Sequence, residues 1–200
     1  MIYSTTPRFL IKTGGTPDGR TQRIVVIING TSYNSVTNAS MFSVGGSLTN
    51  GVATIFKAPT QTLGNKTITI RCENDAGVSV EEIRNVTIGV LQVEEIVPSV
   101  TTVKATHIWA LRLAAEDIRH YYGLPTNVWG SIIIQNRTQV RDWPLHIKEV
   151  RAALDAVIVA INSFDTVAAF DAPLVSWIAF SPGSPRAAVM QQVITLINLL

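Results

Sequence analysis

Lys66-Thr67-Ile68-Thr69-Ile70-Arg71-Cys72, entered through Gly64-Asn65 and left through Asn74-Asp75-Ala76-Gly77, is the stretch on which the fold turns. Apolar and polar residues alternate in it. Successive side chains of a strand point to opposite faces, so Ile68, Ile70 and Cys72 share one face. A strand with one greasy face needs a second layer to cover it, and the turn after it predicts a returning strand over Val78–Val90. The same grammar recurs towards the N-terminus. Arg23–Ile28 is a continuous β-branched run suited to the centre of a sheet, Asn29-Gly30 is a strong hairpin signal, and Thr31–Tyr33 is the return. Phe9–Lys12, Ala39–Val44 and Val52–Ala58 supply further strands, set off by Gly14–Gly19, Gly45-Gly46 and Asn50-Gly51. About seven short strands at this spacing predict an all-β sandwich over residues 1–97.

Past Pro98 the apolar spacing changes from two to between three and four, which predicts an all-α domain over 98–200. Ile108, Leu111, Ala115, Ile118 and Tyr122 form one stripe, closed by Gly123 and Pro125. Ile147, Val150, Leu154, Val157, Ile161 and Phe164 form a second, starting beside Asp142 and Pro144. Ser184 and Pro185 open a third, with Val189, Val193, Leu196 and Leu200. Each helix hides one face and none can do so alone.

The helices align as a degenerate repeat of about forty residues, the most informative feature of the chain. Lys104-Ala105-Thr106-His107-Ile108-Trp109-Ala110-Leu111-Arg112 corresponds, across a short insertion, to Arg141 through His146-Ile147-Lys148-Glu149-Val150-Arg151. A third copy runs over Pro185–Val193, with Val189 in the histidine position and no matching arginine. Trp129 and Trp177 each follow a proline-containing loop and are expected to plug the gaps between successive helices. His107, Arg112, Trp129, His146, Arg151 and Trp177 are therefore the candidate repeat-joint residues. The paired histidines suggest a metal site at first sight. Equivalence in a repeat more often means the same packing task, and the third copy lacks the ligand.

Two resemblances stand on these residues. The run Leu63 to Ser79 resembles the final hairpin of bacterial and phage immunoglobulin-like domains, where a glycine-containing turn leads to an alternating strand and an Asp-Ala-Gly turn. That implies a spacer or binding module. Over Thr101–Leu200 the basic-x-x-His-Ile-x-x-Leu-Arg helix with a tryptophan loop resembles a tandem repeat of large bacterial surface and phage-associated proteins. It implies extracellular or virion architecture and brings no defined activity with it.

Composition narrows the function classes. A net charge of +2 on 200 residues makes no broad positive field, which argues against nucleic acid as a partner. Charged residues are 15% of the chain against roughly 25% in a typical soluble domain, and mean hydropathy is +0.27, so part of the surface is expected to be covered by other subunits. The single cysteine, Cys72, reads as a buried core thiol. The start of the chain lacks the charged and apolar regions of a secretory signal, and no apolar run is long enough to span a membrane. Glu81-Glu82 and Glu94-Glu95 lack the apolar setting that raises a catalytic pKa, and His120 reads as a solvated helix position. No phosphate loop, nucleophile elbow or spaced metal-ligand motif is present, so neither catalysis nor a cofactor is expected.

The expectation is a non-enzymatic virion structural protein of a tailed bacteriophage: a capsid decoration, fibre or tail-associated component assembled in the host cytoplasm. Its partners would be other virion or surface proteins, in a homo-oligomer or multi-subunit assembly. Leu196, Ile197, Leu199 and Leu200 are the candidate interface, because together they exceed one helical stripe. The alternative is a carbohydrate- or cell-surface-binding module of a secreted bacterial protein, with Trp109 and Trp143 stacking on sugars.

Overall fold

A computed structural model describes residues 1–12, 23–44, 53–74, 79–93, 103–130, 142–164, 177–178 and 186–200. Among the described residues seven strands and three α-helices follow one another: β1 (Arg8–Lys12), β2 (Arg23–Ile28), β3 (Thr31–Asn34), β4 (Phe42–Val44), β5 (Ala53–Lys57), β6 (Gly64–Glu73), β7 (Ser79–Ile88), α1 (Ala105–Tyr121), α2 (Trp143–Phe164) and α3 (Arg186–Ile197). The strands form two antiparallel sheets, one in the order β1-β5-β4 and one in the order β3-β2-β6-β7. Asn29 and Gly30 both adopt positive φ, 52° and 79°, the geometry of the tight two-residue turn that lets β2 fold back on β3. Residues 39–44 do not form one strand: Ala39–Met41 is a turn of 3-10 helix, and only Phe42–Val44 pairs with β5. Asn38 decides this locally, its side chain accepting the backbone N–H of Asn34 and its carbonyl that of Met41.

The sheets face each other across one core. Phe9, Ile11 and Phe56 of the three-stranded sheet meet Ile24, Val26, Ile28, Ile68 and Ile70 of the other. Phe56 gathers the aromatics, with ring centroids 4.8 Å from Phe42, 6.2 Å from Phe9 and 5.4 Å from Tyr33 on the opposite sheet. Cys72 shares the inward face with Ile68 and Ile70 but is only half-buried, because it lies near the end of β6; burial and the Glu82 carboxylate hold its thiol above the ordinary range. The outer face of the larger sheet carries polar ties across β6 and β7, Thr67 to Asn85, Thr87 to Asn65, and Arg71 to Glu81, around the exposed Ile83.

The smaller sheet is covered on its other side too. Leu10 and Ile55, opposite each other in the β1–β5 register, join the core built by the three helices. Burying each is worth about 1.5–3 kcal/mol. Polar ties cross the same boundary: Tyr3 donates to Asp117 at 3.0 Å, and Arg8 donates to the carbonyl of Leu199 at 2.7 Å. The Asn198 amide grips both backbone groups of Leu91. Within the helical group α1 packs on α2 and α3, and α2 on α3. Gly123, at φ +74°, ends α1 in the left-handed turn that glycine favours. Among the described residues no helix is long and apolar enough to cross a membrane.

Candidate functional site

The joint residues come together in two places. At the α1–α2 joint the guanidinium of Arg112 lies 4.7 Å from the centre of the Trp129 ring. It also donates to His146 Nδ1 at 2.9 Å and to Glu149 Oε2 at 2.5 Å. A guanidinium only donates, so His146 must be unprotonated at Nδ1, and the neutral ring carries its proton on Nε2. At the α2–α3 joint Arg151 lies 4.7 Å from the centre of the Trp177 ring, and donates to the Ile178 carbonyl at 2.8 Å and to Gln192 Oε1 at 3.3 Å. Gln192 also takes the N–H of Ile178, at 2.9 Å.

The correspondence extends to residues that the repeat pattern does not flag. Glu149 stands three places after His146, and Gln192 three after Val189, the same offset on each receiving helix. An acid four places after each arginine anchors the connector: Glu116 accepts the N–H of Asn127, and Asp155 accepts the indole N–H of Trp177 at 2.9 Å. Arg119 is a further buried arginine between α1 and α2, donating to the carbonyls of Pro125 and Ala153. The common offset was the available signal for Glu149 and Gln192; for Arg119 the sequence offers none.

The two equivalent histidines do different work. His107 Nδ1 accepts the N–H of Lys104 at the start of α1, whereas His146 Nδ1 receives Arg112. His107 stands in the first copy, near the start of α1, and its ring turns to the helix start. Both rings are buried, as are Arg112 and Arg151. Burial and the neighbouring Arg112 cation lower the His146 pKa, with Glu149 and Asp142 opposing. Burial likewise lowers the pKa of both arginines, offset by Glu149 at the first joint and by Asp155 at the second.

The C-terminal residues are placed differently from the expectation. Leu196, Ile197 and Leu200 are buried in the chain's own core, and of the four only Leu199 is exposed. Their surplus over one stripe is absorbed internally, because α3 is flanked by α1 and α2 while Arg8 holds the carbonyl of Leu199. Leu199 lines a shallow groove of about 420 Å3 with Ala188, Gln191 and Thr195. Trp143 is only 9% exposed and part of the helical core, whereas Trp109 is 45% exposed. His120 is exposed and hydrogen-bonds Thr126, and Glu81 and Glu82 are exposed and paired with Arg71 and Arg84. Glu94, Glu95, Ser184 and Pro185 lie outside the described residues.

No protein-family model matches the chain, and no curated protein matches it either. Among solved structures it is similar to CopC from Methylosinus trichosporium OB3b, at 16% identity over 46% of this chain and 84% of that chain, with a TM-score of 0.28, a likeness too loose to bear on fold or function.

Proposed function

We propose that the chain is a non-enzymatic structural protein that acts through protein–protein contacts, as a capsid decoration, fibre or tail-associated component of a tailed bacteriophage virion. The observation that carries the reading is how the candidate joint residues are used. Arg112, His146 and Glu149, and again Arg151 and Gln192, are spent on fastening one helix to the next. Polar groups engaged in this way fix geometry and are not free to meet a substrate. The sparse charge of the surface supports association with other proteins.

Within the same reading, the strands form an immunoglobulin-like domain and the helices a repeat domain. Strand order supports the first part. With β1, β2, β3, β4, β5, β6 and β7 taken as strands B, C, C′, D, E, F and G, the sheets are B-E-D and C′-C-F-G. The parallel bridge of Ile2 to Ile88 then stands where a first strand meets the last. Mass spectrometry of purified particles tests the function: the chain is expected at stoichiometric level in virions of the phage that encodes it, and absence from them sinks the reading. The exposed Trp109 favours a second one, a glycan- or cell-surface-binding module at a bacterial surface or in secreted form. Glycan-array binding lost in a folded Trp109→Ala variant would support it over the first.

A further inference from the structure

β7 is one of the two edge strands of the four-stranded sheet, and one end of its outer edge is already taken. Ile2 donates to the carbonyl of Thr87 at 2.9 Å and accepts the N–H of Gly89 at 2.8 Å. These two bonds fix the phase of the strand. Backbone groups alternate sides along a strand, and the β6 pairing runs unbroken from Gly64–Ile88 to Glu73–Ser79. The N–H and C=O of Glu81, Ile83 and Asn85 therefore face outward, as those of Thr87 do. The same edge carries two exposed apolar side chains, Val80 at 73% and Ile83 at 61%. A long edge with exposed apolar residues is a template for another strand.

We propose that this edge pairs with the same edge of a second copy of the chain, antiparallel, about a two-fold axis through Ile83. Charge selects the register. An axis at Glu81, Glu82 or Arg84 sets like charges directly opposite one another, which is destabilising. An axis at Asn85 brings the partner's Ile83 against Thr87, whose carbonyl Ile2 holds. Axes at Val80 or Val86 run off the free stretch. The axis at Ile83 has none of these faults: Glu82 meets the partner's Arg84, Glu81 meets the partner's Asn85, Val80 meets the partner's Val86, and Ile83 meets its own symmetry mate. About six backbone hydrogen bonds form, and both exposed apolar side chains are covered. Arg84 already binds Glu82 of its own strand at 2.7 Å, so pairing closes an alternating ring of charges. A groove of about 580 Å3, walled by Lys12, Asn85, Val86 and His120, lies where the partner's Val80 and Glu81 arrive.

The inference deepens the proposed function and rests on it, naming one of the protein contacts that function requires. Sedimentation equilibrium of the full chain tests it, with a dimer expected for the wild type. Ile83→Pro removes only an outward N–H and leaves the β6 ladder whole, so it is expected to give a monomer with unchanged circular dichroism. Ile83→Lys and Ile83→Glu are each expected to be monomeric, and an equimolar mixture of the two to regain the dimer, because the axis makes position 83 its own neighbour. A wild-type monomer overturns the proposal. So does a dimer that survives Ile83→Lys, or a mixture that stays monomeric, and these outcomes stand even where the proline variant fails to fold. A dimeric chain missing from purified particles would sink the virion reading and leave the edge pairing intact; a monomeric chain present in particles would do the reverse.

Discussion

The two helix joints hold the same cation on the same kind of ring at the same distance, yet they are closed by different chemistry. At the α1–α2 joint Arg112 meets a carboxylate and an imidazole, whereas at the α2–α3 joint Arg151 meets an amide and a backbone carbonyl. Arginine and tryptophan are thus the constant parts, and the residue on the receiving helix varies. The difference has an electrical meaning. The first joint sets a carboxylate and a titratable ring against a buried cation, whereas the bonds described at the second run to an amide and a carbonyl, with Asp155 raising the Arg151 pKa while it takes the Trp177 indole N–H. The first joint holds a histidine, so it should answer to pH near neutrality.

Breaking the charged joint carries the largest expected cost. Arg112→Ala removes the cation paired with Glu149 and a donor to His146, and a loss of about 3–5 kcal/mol in unfolding free energy is expected from denaturant titration. Arg151→Ala removes charge-assisted hydrogen bonds to an amide and a backbone carbonyl, so its cost should be smaller, about 1.5–3 kcal/mol in the same measurement. Equal losses would mean that the Glu149 pair adds nothing over the hydrogen bonds of the second joint.

Acid should separate the joints next. The His146 pKa is lowered in the folded chain from an ordinary value of 6.5, so below that value the unfolded chain binds the additional proton first. Stability from this group is whole above pH 6.5 and is lost as pH falls through the folded pKa, by at most about 1.4 kcal/mol per pH unit for one proton. His146→Gln, which keeps an acceptor and cannot titrate, should flatten the urea midpoint between pH 7 and 5 relative to wild type. The smallest effect is expected at the rings. Trp177→Phe loses the indole bond to Asp155 and part of the cation–ring attraction, about 1–2 kcal/mol together, read as a fall in melting temperature.

Much of the fold was legible because local pattern and final burial agree. The alternation of Ile68, Ile70 and Cys72, the Asn29-Gly30 turn and the stripes of the helices all rest on periodicity that the backbone enforces. What was missed depended on neighbours that sequence order does not reveal. Phe9-Leu10-Ile11 and Ile55-Phe56 are unbroken apolar runs, the signature of a strand covered on both faces, but nothing local says that the second cover is helical. The C-terminal leucines carried a real surplus of apolar surface, and only the packing of α3 shows that most of it is absorbed within the chain. At the joints, Arg112 and Arg151 were found through repetition, whereas the switch from Glu149 to Gln192 hid the residues that receive them.

The bond from Arg8 to the carbonyl of Leu199 spans 191 positions, and the contact of Tyr3 with Asp117 spans 114. Ties of that reach are made late, because the entropy of closing so large a loop must be met before they return anything. The helix-facing side of the first sheet therefore stays uncovered until α2 has been made, and the tie of Arg8 waits until synthesis has passed residue 199. Until α2 arrives Leu10 and Ile55 are open to wrong partners, so slow translation or a stall before that helix should reduce the yield of soluble protein even where the finished fold is stable.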